Sequence, residues 1–128
     1  MQIDSACAFS AEAVTKAGGW YTFELRVLRA GQPLSTYSVA HVGVGEVFIL
    51  AGQSNATNYG EARTQTASGM VVSFDGTTWA IASDPQPGPP DKSTRGSLVP
   101  SFGDAMYANY NVPIAVASVG HAGTSVRQ

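Results

Sequence analysis

Cysteine and charge are both scarce in this sequence. Cys7 is the only cysteine among 128 residues, so the chain can form no internal disulfide and shows no cysteine-based metal pattern. Charged residues make up 12% of the chain, the formal net charge is -2, and lysine and arginine form no cluster. This balance argues against nucleic acid or an acidic membrane surface as the main partner.

Long apolar runs are absent as well. No run approaches the roughly 20 residues of a membrane-spanning helix. No basic region followed by an apolar core marks a signal peptide at the N-terminus, although a mature or recombinant start would look the same. The few charges and the many Gly, Ser and Thr residues favour a secreted or periplasmic protein. Acidic residues are scattered without the spacing of metal ligands, so the sequence implies no metal and no cofactor.

The stretch 45–56 organises the rest of the chain, which is long enough for one domain. Residues 47–51 are an unbroken apolar run, which is typical of a strand covered on both faces. Small and polar residues follow at 52–55. Because open α/β sheets bind their ligands beyond the carboxyl ends of their strands, Ser54 is the first candidate for chemistry. An ordinary strand and turn would explain the same residues, and Ala56 stands where an α/β-hydrolase elbow needs its second glycine.

Short-range patterns predict the elements around this stretch. Alternation of polar and apolar residues at 20–28, followed by a partner strand at 35–44, predicts a β-hairpin. Residues 70–74 predict a second hairpin, joined by an Asp-Gly turn to a strand that begins at Trp79. Residues 83–96 hold four prolines and two glycines, so they predict irregular structure, most simply a surface loop.

A helix and a second buried strand complete the predicted half of a βαβ unit. Residues 97–110 place four apolar side chains on one helical face, with Pro100 in the first turn and Asn111 at the end. The apolar run 112–119 predicts a strand that pairs in parallel with 47–51. The four side chains of the helical face are Leu98, Phe102, Ala105 and Met106.

Two short blocks resemble those of a known family. The run Gly-Gln-Ser-Asn at 52–55, preceded by Gly-Glu-Val-Phe at 45–48, resembles the first conserved block of SGNH hydrolases, in the branch of sialate O-acetylesterases and acetylxylan esterases. The resemblance implies that Ser54 is the nucleophile. The run Gly-Thr-Ser at 123–125 resembles the second block, whose glycine donates its N–H to the oxyanion hole. The resemblance implies that role for Gly123.

The same resemblance implies a fold and its division. Residues 1–44 would be a β-rich lead-in, and residues 45–128 would be a partial SGNH hydrolase domain that holds only the first and second blocks. The expected fold class is α/β. It corresponds to the N-terminal half of a three-layer α/β/α sheet of the flavodoxin-like type, preceded by a short β-hairpin region.

The later blocks of the family have no counterpart here. The family's third oxyanion donor is an asparagine, and its base is a histidine preceded three residues earlier by an aspartate. The chain has no Asp-x-x-His. Its two histidines are His41, predicted on the surface of a hairpin strand, and His121, which lies in the second-block turn but not in the base position. We therefore expect an incomplete portion that a C-terminal polypeptide completes, or a homo-oligomer, because an unfinished sheet exposes an apolar edge.

Two functions from different classes fit these residues. The resemblance implies a serine esterase that removes O-acetyl groups from carbohydrates of the sialate or xylan type, although a serine without its base is a poor nucleophile and the chain alone is expected to be inactive. Gln53, Asn55 and His121 are candidate substrate contacts, and Asn55 is also expected to hold the turn. The alternative is a non-catalytic carbohydrate-binding or structural remnant of that fold. Its candidate sugar-stacking aromatics, which packing would also explain, are Trp20, Tyr21, Tyr59 and Trp79.

Overall fold

The computed structural model of the chain describes residues 2–3, 8–91 and 93–125. Cys7 lies outside the described residues. The elements in chain order are β1 (Gln2–Ile3), β2 (Phe9–Ser10), β3 (Trp20–Arg29), β4 (Gln32–Gly43), β5 (Glu46–Leu50), a 3₁₀ helix (Ser54–Ala56), β6 (Val71–Phe74), β7 (Trp79–Ile81), α1 (Val99–Tyr110) and β8 (Ile114–Ser118). None of the helices in these ranges is long and apolar enough to cross a membrane.

β3 and β4 form the first predicted hairpin. They pair antiparallel from Trp20 opposite Gly43 to the last pair beside the turn. The two turn residues, Ala30 and Gly31, have φ angles of 49° and 79°. Positive φ at both central residues is the type I′ geometry, whose twist matches that of the flanking strands. The sequence prediction of a hairpin with a turn here is confirmed.

The pairing of this hairpin shifts register at two places, and one of them contains a histidine. Between the pairs Tyr21–Val42 and Phe23–Val39, β4 has one residue more than β3, which is the arrangement of a β-bulge. His41 lies in the bulge with a φ of 56°, and it is exposed. The prediction of His41 as a surface strand residue is therefore confirmed.

The main sheet has the strand order β5-β8-β6-β7. β5, β8 and β6 are parallel, and β7 returns antiparallel to β6, so the predicted second hairpin and the predicted parallel neighbour of the 47–51 strand are both confirmed. The order differs from the flavodoxin-like 2-1-3-4-5, in which the first strand lies inside the sheet between the second and third strands. Here β5 is at the edge and β8 is central, in keeping with the near-complete burial of Ile114 and Val116.

α1 covers one face of the sheet, but its buried side differs from the predicted one. Leu98 precedes the helix and is 44% exposed, and Ala105 is exposed too. Gly103 faces the sheet instead, and an added Cβ there would lie 2.3 Å from Cγ1 of Val71. Ala105 is two residues further on, about 200° round the helix, and therefore points away from the sheet, whereas Leu98 is the N-cap residue.

The core lies between α1 and the sheet. Phe102 and Met106 pack against it as predicted, and the Phe102 ring meets the Phe48 ring edge-on with centroids 5.2 Å apart. Pro100 lies in the first turn of α1, and Asn111 ends the helix in the left-handed conformation. The buried apolar residues of the core are Val71, Ala82, Val99, Ile114 and Val116.

The opposite face of the sheet is also apolar, and it is exposed. It includes Val47 and Ile49 on β5, which alternate with the inward-facing Phe48, and Trp79 and Ile81 on β7. In the described ranges the single α-helix lies on the other face. The α/β character of the predicted fold is confirmed, whereas a second helical layer is not among the described elements.

Candidate functional site

Ser54 lies directly beyond the carboxyl end of β5, at the start of the 3₁₀ helix. The turn is closed by hydrogen bonds from the N–H of Ala56 to the carbonyl of Gln53 (2.8 Å) and from the Thr57 hydroxyl to the carbonyl of Ser54 (2.9 Å). Ser54 is half-buried, and its hydroxyl makes no hydrogen bond with the described residues. The hydroxyl is therefore available to a base or a substrate.

The turn after β8 is fastened to the Ser54 loop. The N–H of Val119 donates to the Leu50 carbonyl, and the N–H of His121 donates to the Gly52 carbonyl, both at 2.9 Å. The Ser118 hydroxyl donates to the carbonyl of Ala56, also at 2.9 Å. The structure thus brings together the two blocks that the sequence singled out, because both follow parallel strands that end at the same edge of the sheet.

Gly120 lets these two segments approach so closely. A Cβ at Gly120 would lie 2.6 Å from the carbonyl oxygen of Ala56 and 2.9 Å from its Cβ. Any other residue would push the second-block turn away from the Ser54 loop. The sequence analysis did not single out Gly120, since a glycine in a turn gives no sign of a close backbone contact.

Gly123 lies at the outer end of the second-block turn. Its φ of 75° is in the left-handed region, and the space where a Cβ would be is open. The turn is closed by the Thr124 hydroxyl, which donates to the carbonyl of His121 at 2.7 Å. The N–H of Gly123 makes no hydrogen bond with the described residues, which leaves it available to a developing oxyanion.

The three residues predicted to contact substrate are all exposed, and they differ in their hydrogen bonds. Gln53 and Asn55 are exposed, and within the described part of the chain their side chains make no hydrogen bond. The expectation that Asn55 holds the turn is therefore wrong, because backbone groups and Thr57 close it. His121 is exposed and its Nδ1 lies 2.9 Å from the Ala122 carbonyl. A carbonyl only accepts, so Nδ1 carries the proton and the ring is bonded within its own turn.

The proline-rich segment 83–96 is irregular, as predicted, but it is not a plain surface loop. Asp84 is buried and accepts hydrogen bonds from the Ser97 hydroxyl (2.6 Å), the Gln86 amide (2.8 Å) and the Thr64 N–H (3.0 Å). Burial acts to raise the pKa of Asp84, but these hydrogen bonds outweigh it and hold the pKa below its usual value. The segment is therefore a packed wall behind the Ser54 loop.

Asn58 connects the Ser54 loop to this wall. It is 1% exposed, its Oδ1 accepts from the N–H of Gln86 at 2.6 Å, and its Nδ2 donates to the Gln86 carbonyl at 2.9 Å. Its backbone N–H donates to the Ser93 hydroxyl at 3.0 Å. A buried amide with paired donors and acceptors fixes the loop more tightly than an apolar residue would. Sequence analysis missed Asn58, because the partners are distant in the chain.

Asp91 links the same wall to the second-block turn. Its Oδ2 accepts from the N–H of Ala122 at 3.2 Å, and its Oδ1 accepts from the Ser93 hydroxyl at 2.7 Å. The bond from the Ser93 hydroxyl, helped by the N–H groups of Ser93 and Ala122, lowers the pKa of Asp91 against a smaller effect of burial. A charged Asp91 therefore fixes the turn that carries Gly123.

A cavity of about 350 Å³ opens beside Ser54. Tyr59, 48% exposed, and Leu98 supply its apolar side chains, and no charged side chain of residues 8–91 or 93–125 lines it. Of the four aromatics proposed from the sequence, Tyr59 alone lines this cavity. The complete lining is Ser54, Asn55, Thr57, Tyr59, Gly60, Ser97 and Leu98.

The other three proposed aromatics pack elsewhere. The Trp20 indole N–H donates to the Gly69 carbonyl at 3.3 Å, and the Tyr21 hydroxyl donates to the Lys16 carbonyl at 2.8 Å. The Trp79 ring lies 4.7 Å from the Phe74 ring. Trp20 and Trp79 line a larger groove of about 720 Å³, between β4 and the open face of the sheet. That groove shares no residue with the cavity beside Ser54.

Two comparisons with known proteins found no relative of this chain. No protein-family model matches the chain, and no curated protein matches it. Within the described ranges, no group of three or more His, Cys, Asp or Glu residues is arranged to hold a metal ion. What can be said of function therefore comes from the motif residues and from the geometry at the edge of the sheet.

Proposed function

We propose that this chain provides the nucleophile and part of the oxyanion hole of an SGNH-type serine esterase that removes acetyl groups from O-acetylated carbohydrates. The observation that carries the proposal is the fastening of the second-block turn to the Ser54 loop by three hydrogen bonds. This arrangement gives a half-buried serine with an unbonded hydroxyl and, in the turn that is fastened to its loop, a glycine with an unbonded N–H. Those are two of the four requirements for acyl transfer.

The reaction would begin with attack of the Ser54 hydroxyl oxygen on the acetyl carbonyl carbon, while a base takes the hydroxyl proton. The carbonyl oxygen becomes an oxyanion that accepts hydrogen bonds from the N–H groups of Ser54 and Gly123. The bond between the acetyl carbon and the sugar oxygen then breaks, and the sugar oxygen receives the proton. Water hydrolyses the acetyl-serine in a second step of the same kind.

The base and the third oxyanion donor come from a further polypeptide in this proposal. His41 lies on the β3–β4 hairpin, and in the described part of the chain neither His41 nor His121 makes a hydrogen bond with Ser54. The open apolar face of the sheet is a surface on which that polypeptide would pack, adding the second helical layer of a three-layer domain, because parallel sheets are usually covered on both faces. A second copy of this chain is the alternative occupant.

Serine-directed labelling tests the proposal. We expect a fluorophosphonate probe to modify Ser54 when added imidazole supplies the missing base, with the site identified by peptide mass mapping, and we expect the Ser54→Ala variant to lose that modification. Ser101 is exposed on α1 and provides a control, since Ser101→Ala should leave the labelling unchanged. Labelling spread evenly over exposed serines, or none at Ser54, would exclude Ser54 as an activated nucleophile.

A non-catalytic carbohydrate-binding protein is the second candidate. It is favoured by the preformed cavity at Tyr59 and by the lack of a histidine bonded to Ser54 in the described residues. Sugar binding by a protein whose Ser54 resists every serine-directed probe would support this function over the esterase.

A further inference from the structure

We infer that the cavity beside Ser54 is a subsite for a neutral sugar ring, with Tyr59 as its stacking surface, and that the substrate is therefore an uncharged acetylated sugar rather than a sialic acid. The inference deepens the proposed function and rests on its carbohydrate part. It does not require Ser54 to be catalytic.

The backbone on both sides of Tyr59 is held firmly. On one side, Asn58 is buried and bonded to Gln86 and Ser93. On the other side, Gly60 and Gly96 exchange two backbone hydrogen bonds of 2.8 and 3.1 Å. They lie so close that a Cβ on Gly60 would be 2.9 Å from the Gly96 carbonyl oxygen. The backbone of Tyr59 is therefore held in position before any ligand arrives, which lowers the entropy cost of binding.

The Tyr59 side chain nevertheless contributes little to the fold. It is 48% exposed, and it makes no hydrogen bond or ring contact with the described residues. The other aromatic rings proposed from the sequence all have such a partner. An exposed ring on a rigid backbone, at the wall of a cavity that also contains the candidate nucleophile, is the feature expected of a ligand-stacking residue.

The remaining lining matches a sugar ring in size and polarity. Leu98 provides a second apolar wall. Its backbone is fixed at the start of α1, because the Phe102 N–H donates a hydrogen bond to the Leu98 carbonyl at 2.9 Å. Asn55 offers an amide with both donors and an acceptor available to sugar hydroxyls. The volume of about 350 Å³ is at the small end for ligand sites, as suits one monosaccharide.

The charge of the lining separates the two substrate types. Among the described residues, no Lys, Arg or His lines the cavity, so a sialic acid carboxylate would lose water there without gaining a cationic partner from them. A neutral pyranose carries no such cost. The same lining has no Asp or Glu, which gives an amino sugar cation no advantage.

The test is ligand-binding NMR on the 128-residue chain, with methyl β-xylopyranoside and the methyl glycoside of N-acetylneuraminic acid as probes. We expect the xyloside to bind and the sialoside to bind at least about tenfold more weakly. Tyr59→Ala should weaken xyloside binding by roughly tenfold, whereas Tyr59→Phe should retain it, because the ring does the stacking. Tyr37→Ala, which removes an exposed tyrosine from β4, is the matched control and should change nothing.

The outcomes separate this inference from the esterase proposal. Stronger binding of the sialoside, no binding of the xyloside, or xyloside binding that survives Tyr59→Ala would overturn the subsite, whatever Ser54 does. Leu98→Ala serves as a second variant, since Leu98 lies outside the core and its loss should also weaken binding. Tyr59-dependent xyloside binding together with an unreactive Ser54 would support the subsite and reject the esterase.

Discussion

The two faces of the main sheet have the same kind of side chain and opposite environments. On the α1 face, Ile114 is 0% exposed and Val116 is 1% exposed. On the other face, Ile49 is 73% exposed and Val47 is 66% exposed. A sheet that faces water on one side normally alternates apolar and polar residues, and β5 does not. The comparison shows that this sheet has the composition of one covered on both sides, while α1 covers a single side.

This difference separates two kinds of contribution. The α1 face stabilises the described fold, because its side chains are removed from water by contacts within the chain. The open face contributes little to that stability, and its apolar area is available to whatever packs there. Four predictions test or refine this division.

The largest effect is expected from a matched pair of isoleucines. Ile114→Ala should lower the free energy of unfolding by about 2–5 kcal/mol, because it leaves a cavity in the core. Ile49→Ala, on the neighbouring strand but the opposite face, should change it by less than about 0.5 kcal/mol. Chemical denaturation of both variants measures the difference. Equal losses would show that the two faces do not differ in this way.

The approach of α1 to the sheet is the next test. Gly103→Ala should cost about 1–3 kcal/mol, because the new methyl group would overlap Val71. Ser101→Ala, on the exposed side of the same helix, is the control and should be close to neutral. We also expect Val71→Ala to cost less in the Gly103→Ala background than alone, since it removes the overlap. Simple additivity of the two changes would contradict the proposed contact.

Asp104 on α1 should give a smaller and pH-dependent effect. It accepts hydrogen bonds from the hydroxyls of Thr66 and Ser68 (both 2.6 Å) and from the N–H groups of Ala67 and Ser68. Burial acts to raise its pKa, but these bonds outweigh it and lower the pKa to about 2 from 3.8. Asp104→Asn should therefore cost about 1–2 kcal/mol at neutral pH.

The sign of the pH dependence follows from the lowered pKa. The contribution of Asp104 is fully present above about pH 4, and it is lost as the pH falls from 3.8 through about 2. The stability difference between the wild-type protein and Asp104→Asn should shrink over that range. A difference that stays constant from neutral pH to pH 2 would show that the charge of Asp104 does not stabilise the loop.

A substitution on the open face is expected to have the smallest effect on stability, but it should clearly reduce self-association of the protein. Ile49→Lys should leave the free energy of unfolding within about 0.5 kcal/mol of the wild type, because the side chain is already exposed. It should reduce self-association in sedimentation velocity, since a charge on an apolar surface opposes pairing. Leu34→Lys, at an exposed position of β4, is the control and should not change association.

Local patterns predicted the elements well, and long-range contacts explain what they missed. Alternation and apolar runs located both hairpins and the strands β5 and β8, since these patterns depend on residues close together in the chain. The packing of Gly103 against the sheet could not be predicted, because it depends on a close contact with Val71 on a distant strand. The buried contacts of Asp84 and Asn58 join residues far apart in the chain, and such polar contacts leave no periodic pattern.

For the candidate site too, the position of its segments was predictable from the sequence and their atomic contacts were not. The placement of Ser54 and the second-block turn at one sheet edge follows from strand direction alone. The role of Gly120 in bringing the two segments together, and of Asp91 in holding the second-block turn, depends on atomic contacts that the sequence does not reveal. The catalytic roles of Ser54 and Gly123 remain predictions.

The most direct test of the central claim is acetyl transfer to Ser54 with an added base. The protein is treated with p-nitrophenyl acetate at increasing imidazole concentration, and acetylated peptides are mapped by mass spectrometry. Imidazole can accept the proton of the Ser54 hydroxyl. Among the described residues, no histidine is hydrogen-bonded to that hydroxyl. We predict selective acetylation of Ser54, faster with imidazole and absent in Ser54→Ala. Acetylation of Ser54 no faster than that of the exposed Ser101 would contradict the claim that this sheet edge is an acyl-transfer site.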